Sequence, residues 1–359
     1  MRSTPIHPPG LPRPWRDGGA GRYNQLMEPA THGAVKRELL VRLLDSAMSA
    51  THGGFTYAEG YAGGDGGRES SAVAALRVFA EFADRLRGRR SIVLVGADPA
   101  RLAALSRLLE RAREKLGAAA GVRVDAASGD CDEQLVPALE RADAFGAPIL
   151  AYLDAVGASA PGYQTLARLG AGQHTDVLLA LDPAALVDQR LFGPSPQWRA
   201  AADLPDTERY PYLVTCYRGA LAHAGLTGVT HVELVGDDGY AQLLLFATGS
   251  AKALDRFKDE LWAVDEFAGV RYRDPRDHDH ALVDISLQPS LGPLRRALLD
   301  RVAARGGCSA GELRDYTRAE TMYRASDALP AIGGLVTAGK VCRAPERGRL
   351  TADTVIEAR

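Results

Sequence analysis

A chain of 359 residues exceeds the usual size of one hydrophobic core, so two folded units are expected. Apolar residues at 46% and charged residues at 25% exclude a disordered or collagen-like polymer. A formal net charge of −2 excludes a whole-molecule electrostatic commitment to nucleic acid or anionic membrane.

The charge is unevenly spread. From Leu291 to Arg359 there are 12 Lys+Arg against 8 Asp+Glu, which leaves −6 on the preceding 290 residues and makes the tail a basic appendage. The four cysteines, Cys131, Cys216, Cys308 and Cys342, form no C-x-x-C pair, so neither a zinc knuckle nor a disulfide framework is expected. No apolar run approaches the roughly 20 residues that span a bilayer, and the Pro-rich start (Pro5, Pro8, Pro9, Pro12, Pro14) lacks a signal-peptide core. The expectation is a cytoplasmic protein without a membrane partner, with residues 1–30 as a disordered arm.

In chain order, Val35, Leu39, Leu40, Leu43, Leu44, Ala47 and Met48 recur at helical spacing and predict a first amphipathic helix over 34–50. A short strand at 55–58, the glycine-rich turn 60–67, a helix over 71–87 and the apolar strand 91–95 follow. Asp98-Pro99 reads as a helix N-cap with proline at the first helical position, and Asp182-Pro183 repeats the pattern. Between them, strands are predicted at 122–126, 149–153 and 177–181, with helices at 132–144 and 161–169. Such alternation implies a parallel, doubly wound sheet.

After a helix over 207–223 the pattern changes. Segments 231–235 and 240–247, joined by Asp237-Asp238-Gly239, read as an antiparallel hairpin. From Leu291 three short helices and a basic ribbon at 341–350 give the outline of a winged helix. Its apolar positions Leu294, Leu298, Leu313, Ile332 and Leu335 are expected to form a small core. The predicted organisation is an arm (1–30), a Rossmann-like unit (31–285) and a winged-helix-like unit (286–359).

Several segments, in order and spacing, resemble the three-Cys-motif partner (TcmP) family of class I methyltransferase-like proteins. They are Lys36-Arg37-Glu38-Leu39-Leu40, Tyr57-Ala58-Glu59-Gly60-Tyr61-Ala62-Gly63, Asp98-Pro99, Gly129-Asp130, Leu153-Asp154 with Gly157, Leu244–Thr248, Phe257–Trp262 and the tail. The resemblance implies an α/β Rossmann-like class I methyltransferase sheet that ends in an antiparallel hairpin. It also implies S-adenosylmethionine as cofactor and a three-Cys-motif protein as partner. Glu59, Gly60, Gly63, Gly64 and Gly66 would then pass close to the cofactor, with backbone amides towards its carboxylate. Asp130 matches an acid that contacts the adenine amine, or serves as a turn and helix cap.

The chain departs from the family pattern at three places. Asp65 stands where a loop glycine is expected, unless the loop shifts to use Gly66. Gly96 stands where an acid would bind the ribose, leaving Asp98 as either its substitute or only a helix cap. The turn after the fourth strand reads Asp154-Ala155-Val156-Gly157, without the family's proline and aromatic ring. Asp154 is the candidate catalytic residue, as hydrogen-bond acceptor or general base, with a solvated loop residue as the alternative.

The His278-Asp279-His280 cluster lacks the further spaced ligands of a metal site and reads as an exposed loop. Arginines of the tail, among them Arg314, Arg318, Arg343, Arg347 and Arg349, fit partner docking or nucleic-acid binding through 291–359. The leading functional expectation is a cofactor-binding methyltransferase-like protein that acts with a partner. The alternatives are a non-catalytic scaffold of the same fold and a nucleic-acid-binding regulator.

Overall fold

The computed structural model describes residues 30–63, 70–117, 121–172, 174–264 and 269–359. All but the last residue of the expected arm, and Gly64, Asp65 and Gly66, lie outside the described residues.

Helix α1 (Ala30–Ser49) leads into five parallel strands separated by helices. These are β1 (Phe55–Glu59), α2 (Ser71–Glu81), β2 (Arg90–Gly96), α3 (Pro99–Leu116), β3 (Val122–Ser128), α4 (Cys131–Arg141), β4 (Ile149–Asp154), α5 (Tyr163–Gly170) and β5 (Thr175–Leu181). After α6 (Asp206–His223), β6 (Gly228–Gly236) and β7 (Ala241–Thr248) form the expected hairpin, and α7 (Ala251–Leu261) follows. The sheet order is β3-β2-β1-β4-β5-β7-β6. Strand β7 is antiparallel to both β5 and β6, so the reversed strand is inserted beside the last parallel one.

Two strands that periodicity does not reveal, β8 (Val270–Arg273) and β9 (Val283–Asp284), extend the sheet beyond β6 to nine strands. Alternation places one set of side chains on each face. Tyr57, Leu94, Tyr152, Leu178 and Phe246 meet α1, α2, α3 and α7 on one side. Ala58, Val93, Leu153, Leu179 and Leu245 meet α4, α5 and α6 on the other. Phe246 stacks on Phe257 with ring centroids 4.4 Å apart, tying α7 to the reversed strand.

Helix α2 ends six residues before its expected limit. Past Phe82 the backbone turns to bond the segment before β1: Arg87 N–H donates to His52 O at 3.1 Å, and Phe55 N–H donates to Arg89 O at 2.8 Å. Gly88 lies directly on the backbone of Gly54, an approach that leaves no room for a Cβ. The Asp98-Pro99 cap forms as the sequence predicts, with Asp98 accepting from the N–H groups of Ala100 and Arg101. Asp182 behaves differently. Only a short 3-10 turn follows it, and its carboxylate accepts instead from Gly157 N–H at 2.8 Å and Tyr240 OH at 2.9 Å. Tertiary donors displace the local cap.

The C-terminal unit comprises α8 (Gly292–Arg305), β10 (Cys308–Ser309), α9 (Ala310–Glu320), α10 (Ala328–Thr337), β11 (Val341–Ala344) and β12 (Val355–Ala358). Its sheet order β10-β12-β11 and three helices make a winged-helix-like unit. The ribbon is longer than predicted and closes at Ala358. Leu294, Leu298, Leu313, Ile332 and Leu335 are all buried, in a core continuous with that of the α1 and α7 side of the large sheet.

The join is polar as well as apolar. Lys258 of α7, fully buried, donates to the carbonyls of Thr317 (3.1 Å), Arg318 (2.5 Å), Thr321 (2.6 Å) and Tyr323 (2.9 Å), where α9 ends. The last carbonyls of a helix lack N–H partners within it, and an ammonium at a helix C-terminus interacts favourably with the helix dipole. Thr317 O also accepts from Thr321 Oγ1 at 2.8 Å, and Thr321 O from Thr230 Oγ1 at 3.3 Å. Burial, with Arg218 adding, pushes the Lys258 pKa down to about 7. Trp262 Nε1 donates to Met322 O at 3.1 Å, and Arg218 binds Glu320 Oε2 at 2.6 Å.

Candidate functional site at the C-terminal edge of the sheet

Parallel pairing in register brings Glu59, Gly96, Ser128 and Asp154 to one edge, where open α/β sheets bind ligands. The chain leaving β1 stays low across this edge. Gly60 N–H donates to Tyr152 O at 3.0 Å, and Ala62 N–H donates to Val95 O at 2.7 Å. A Cβ at Gly60 would stand 2.5 Å from Leu153 Cδ2 and 2.8 Å from Cys131 Sγ. Gly63 takes φ +90° with a Cβ position 3.2 Å from Arg101 Cβ, so glycine is required there twice over. Gly64 and Gly66 lie outside the described residues.

Gly96 has a direct reason to be glycine. The Ala62 carbonyl oxygen sits where its Cβ would be, so the descending loop occupies the place of any side chain at the end of β2. The ribose-binding acid implied by the resemblance therefore cannot be accommodated at this position. Gly96→Asp is expected to destabilise the protein by about 2–3 kcal/mol through overpacking against backbone, read as a lower chemical-denaturation midpoint.

Asp98 and Asp130 flank this glycine floor on the β2 and β3 sides. Each uses one oxygen, Oδ1, as a helix cap: Asp98 towards Ala100 and Arg101, Asp130 towards Asp132 N–H at 2.8 Å. Both side chains remain exposed, and Asp98 Oδ2 lies 3.5 Å from Arg101 Nε. Capping and ligand contact are thus compatible at both residues. Gly129, at φ +141°, donates to Gly96 O at 3.1 Å and joins the β2 and β3 ends.

Glu59 is buried and accepts from Tyr57 OH at 2.7 Å on the same face of β1. Asp154 sits two positions beyond the partner of Glu59 on β4. Its Oδ2 accepts from Lys36 Nζ at 2.6 Å and from Tyr152 OH at 2.8 Å, while the buried Oδ1 has no hydrogen-bond partner among the described residues. Lys36 is almost completely buried and comes from α1, 118 residues away in sequence. The general-base role is therefore the less suited of the two expectations for Asp154. Oδ2 is saturated, and accepting a hydrogen bond through Oδ1 is the chemistry left to it.

The neighbouring loop is pinned from several sides. Tyr61 OH donates to Ser159 O at 2.7 Å, and Asp132 accepts from Gly162 N–H and Thr165 OH at 2.8 and 2.6 Å. Cys131 lies beneath. Burial, with Asp132 adding, pushes its thiol up to about 12, so it is no nucleophile. Sequence reasoning missed Lys36, Tyr152 and Tyr61 as parts of this edge, although Lys36 and Tyr61 lie in segments that carry the resemblance; Asp132, a possible cap beside Asp130 in the sequence, instead binds Gly162 and Thr165. Among the described residues no metal-binding cluster exists, and the His278 and His280 side chains are exposed. No helix among the described residues is long and apolar enough to cross a membrane.

No protein-family model and no curated protein matches the chain. Solved structures with a similar fold include EvdMO1, at 13% identity over 61% of this chain and 42% of that one, with a TM-score of 0.35. Others are a geranyl diphosphate methyltransferase in complex with GPP and sinefungin (13% identity, 58% and 77% of the chains, TM-score 0.27) and the methyltransferase domain of bacterial CtHen1-C (11% identity, 60% and 100%, TM-score 0.29). The chain spans less than half the length of the first. What decides the fold is the strand order, with β7 reversed between β5 and β6.

The fold is that of a class I methyltransferase. The fold rests on that strand order and not on the likenesses, and the chemistry must be argued from the edge itself.

Proposed function

We propose that the protein binds S-adenosylmethionine across the ends of β1–β4 and works as a methyltransferase-like protein with a partner protein. The three-Cys-motif family suggested by the sequence segments supplies the partner class. One observation carries the reading: a glycine-floored edge, Gly60–Gly63 with Gly96 and Gly129, is bordered on its β2 and β3 side by two exposed carboxylates, Asp98 and Asp130. In this reading the carboxylates take the ribose hydroxyls and the adenine amine, and the loop after Glu59 takes the amino-acid end of the cofactor. Asp154 Oδ1 then accepts a hydrogen bond from the group to be methylated.

A nucleic-acid role through 291–359 is less well supported. Helix α10 holds the place of the groove-reading helix, yet it has no Lys or Arg from Ala328 to Thr337. Arg343 of the wing is committed to the carbonyls of Pro345, Gly348 and Arg349.

Isothermal titration calorimetry with S-adenosylmethionine and its demethylated product tests the proposal. Wild type is expected to bind both, and Gly63→Ala to bind at least about tenfold more weakly, roughly 1.4 kcal/mol, while keeping a cooperative melt. Absence of binding by wild type, alone and with the partner, would leave the scaffold reading in its place.

A further inference from the structure

The winged-helix-like unit carries a surface that is complementary to itself. Helix α10 turns Ala331, Ile332 and Leu335 inward, with Val336 partly buried against the same core, and shows Leu329, Pro330, Gly333 and Thr337 outward, Leu329 at 36% exposure. A Cβ at Gly333 would meet nothing within 4 Å, so the middle of this face is bare and lets another helix approach closely. Leu287, at 66% the most exposed large apolar side chain among the described residues, lies at the N-terminal end of the same helix. Arg324 fixes it there, donating to Leu287 O at 2.9 Å and to Asp327, the residue that precedes α10.

The two ends of α10 differ in charge. At the N-terminal end stands exposed Asp259. Partial burial raises its carboxyl above the ordinary value; Arg324 opposes this, and the charges of Asp255 and Asp327 add to it. At the C-terminal end the guanidinium of exposed Arg295 lies over Gly334, with Nε 2.6 Å from the position of a Cβ, and exposed Lys340 follows the helix directly. Arg359 Nη1 reaches within 3.7 Å of the corresponding position at Gly339.

We propose that a second copy of this chain docks on this face, α10 against α10 in antiparallel order about a two-fold axis. That arrangement sets the acidic end of each helix on the basic end of the other, twice, and opposes the two helix dipoles. It brings the apolar middles together at Gly333, where no side chain holds them apart. A second copy fits better than a nucleic acid, because α10 itself has no Lys or Arg and the cations beside it, Arg295 and Lys340, gather towards one end opposite an acidic one. The inference is independent of what the sheet edge binds.

Sedimentation equilibrium of the full chain tests it. Wild type is expected to be dimeric at about 100 μM, Leu329→Asp monomeric, and Lys340→Glu weakened by on the order of tenfold. Adding Asp259→Lys to Lys340→Glu is expected to restore dimerisation, since it swaps the charges across the two-fold. All three positions are exposed, so each variant should keep a cooperative melt, its midpoint lowered only by the lost association. A monomeric wild type, a dimer indifferent to Leu329→Asp, or a charge swap that fails to restore pairing would each overturn the proposal.

Discussion

Lys258→Met is expected to be among the most damaging single changes in the chain, costing on the order of 3–5 kcal/mol. The methionine fills the same volume but donates nothing. Four carbonyl oxygens at the end of α9 and beyond lose the ammonium; Thr317 O keeps Thr321 Oγ1 and Thr321 O keeps Thr230 Oγ1, whereas those of Arg318 and Tyr323 lose the donor they have in a largely buried setting. The loss falls at the join between the sheet and the winged-helix-like unit. Limited proteolysis should therefore cut near residues 275–290 at lower protease concentration than in wild type, together with a lower melting midpoint. Retention of both would show that the carbonyls find water instead and that the join rests on Trp262, the Arg218–Glu320 pair and apolar contact.

The second large effect is expected at Lys36. Lys36→Met should cost about 2–4 kcal/mol, below the full penalty for breaking a buried pair because Asp154 keeps 23% of its side-chain surface exposed. The ion pair also holds α1 against β4, so the damage reaches the ligand edge. Combining Lys36→Met with Asp154→Asn should recover part of the loss, since the uncompensated carboxylate is then absent. Urea denaturation of the two single variants and the double variant measures this coupling. Strictly additive costs would mean that the 2.6 Å contact contributes no net stability.

These two lysines also show where sequence reading reaches its limit. Periodicity exposed β1–β7 because each strand is a run of five to nine apolar or alternating residues, and the hairpin at Asp237-Asp238-Gly239 revealed the reversed strand. Strands β8 and β9, with four and two residues, are too short to produce a period and form because β6 offers an edge to β8 and β8 offers one to β9. A lysine in an amphipathic helix is ordinarily solvated. Nothing local distinguishes Lys258 or Lys36, whose partners lie 59–65 and 118 residues away.

The candidate site was legible where its logic is local. Asp98 before Pro99 announces a cap, and it forms. Gly96 was legible only as a departure from the family pattern; its cause, the Ala62 carbonyl lying against it, is a contact between two strand ends that spacing cannot show. Asp182 illustrates the converse. A sound local cap signal lost to Gly157 and Tyr240, which tertiary structure brings within hydrogen-bond reach.

The most direct test of the account is a crystal structure of the protein grown with S-adenosylhomocysteine, the stable product of methyl transfer. The account predicts ligand density along Gly60–Gly63, with the ribose beside Asp98 and the adenine amine towards Asp130. An empty edge at saturating ligand, or density bound elsewhere on the molecule, would contradict it.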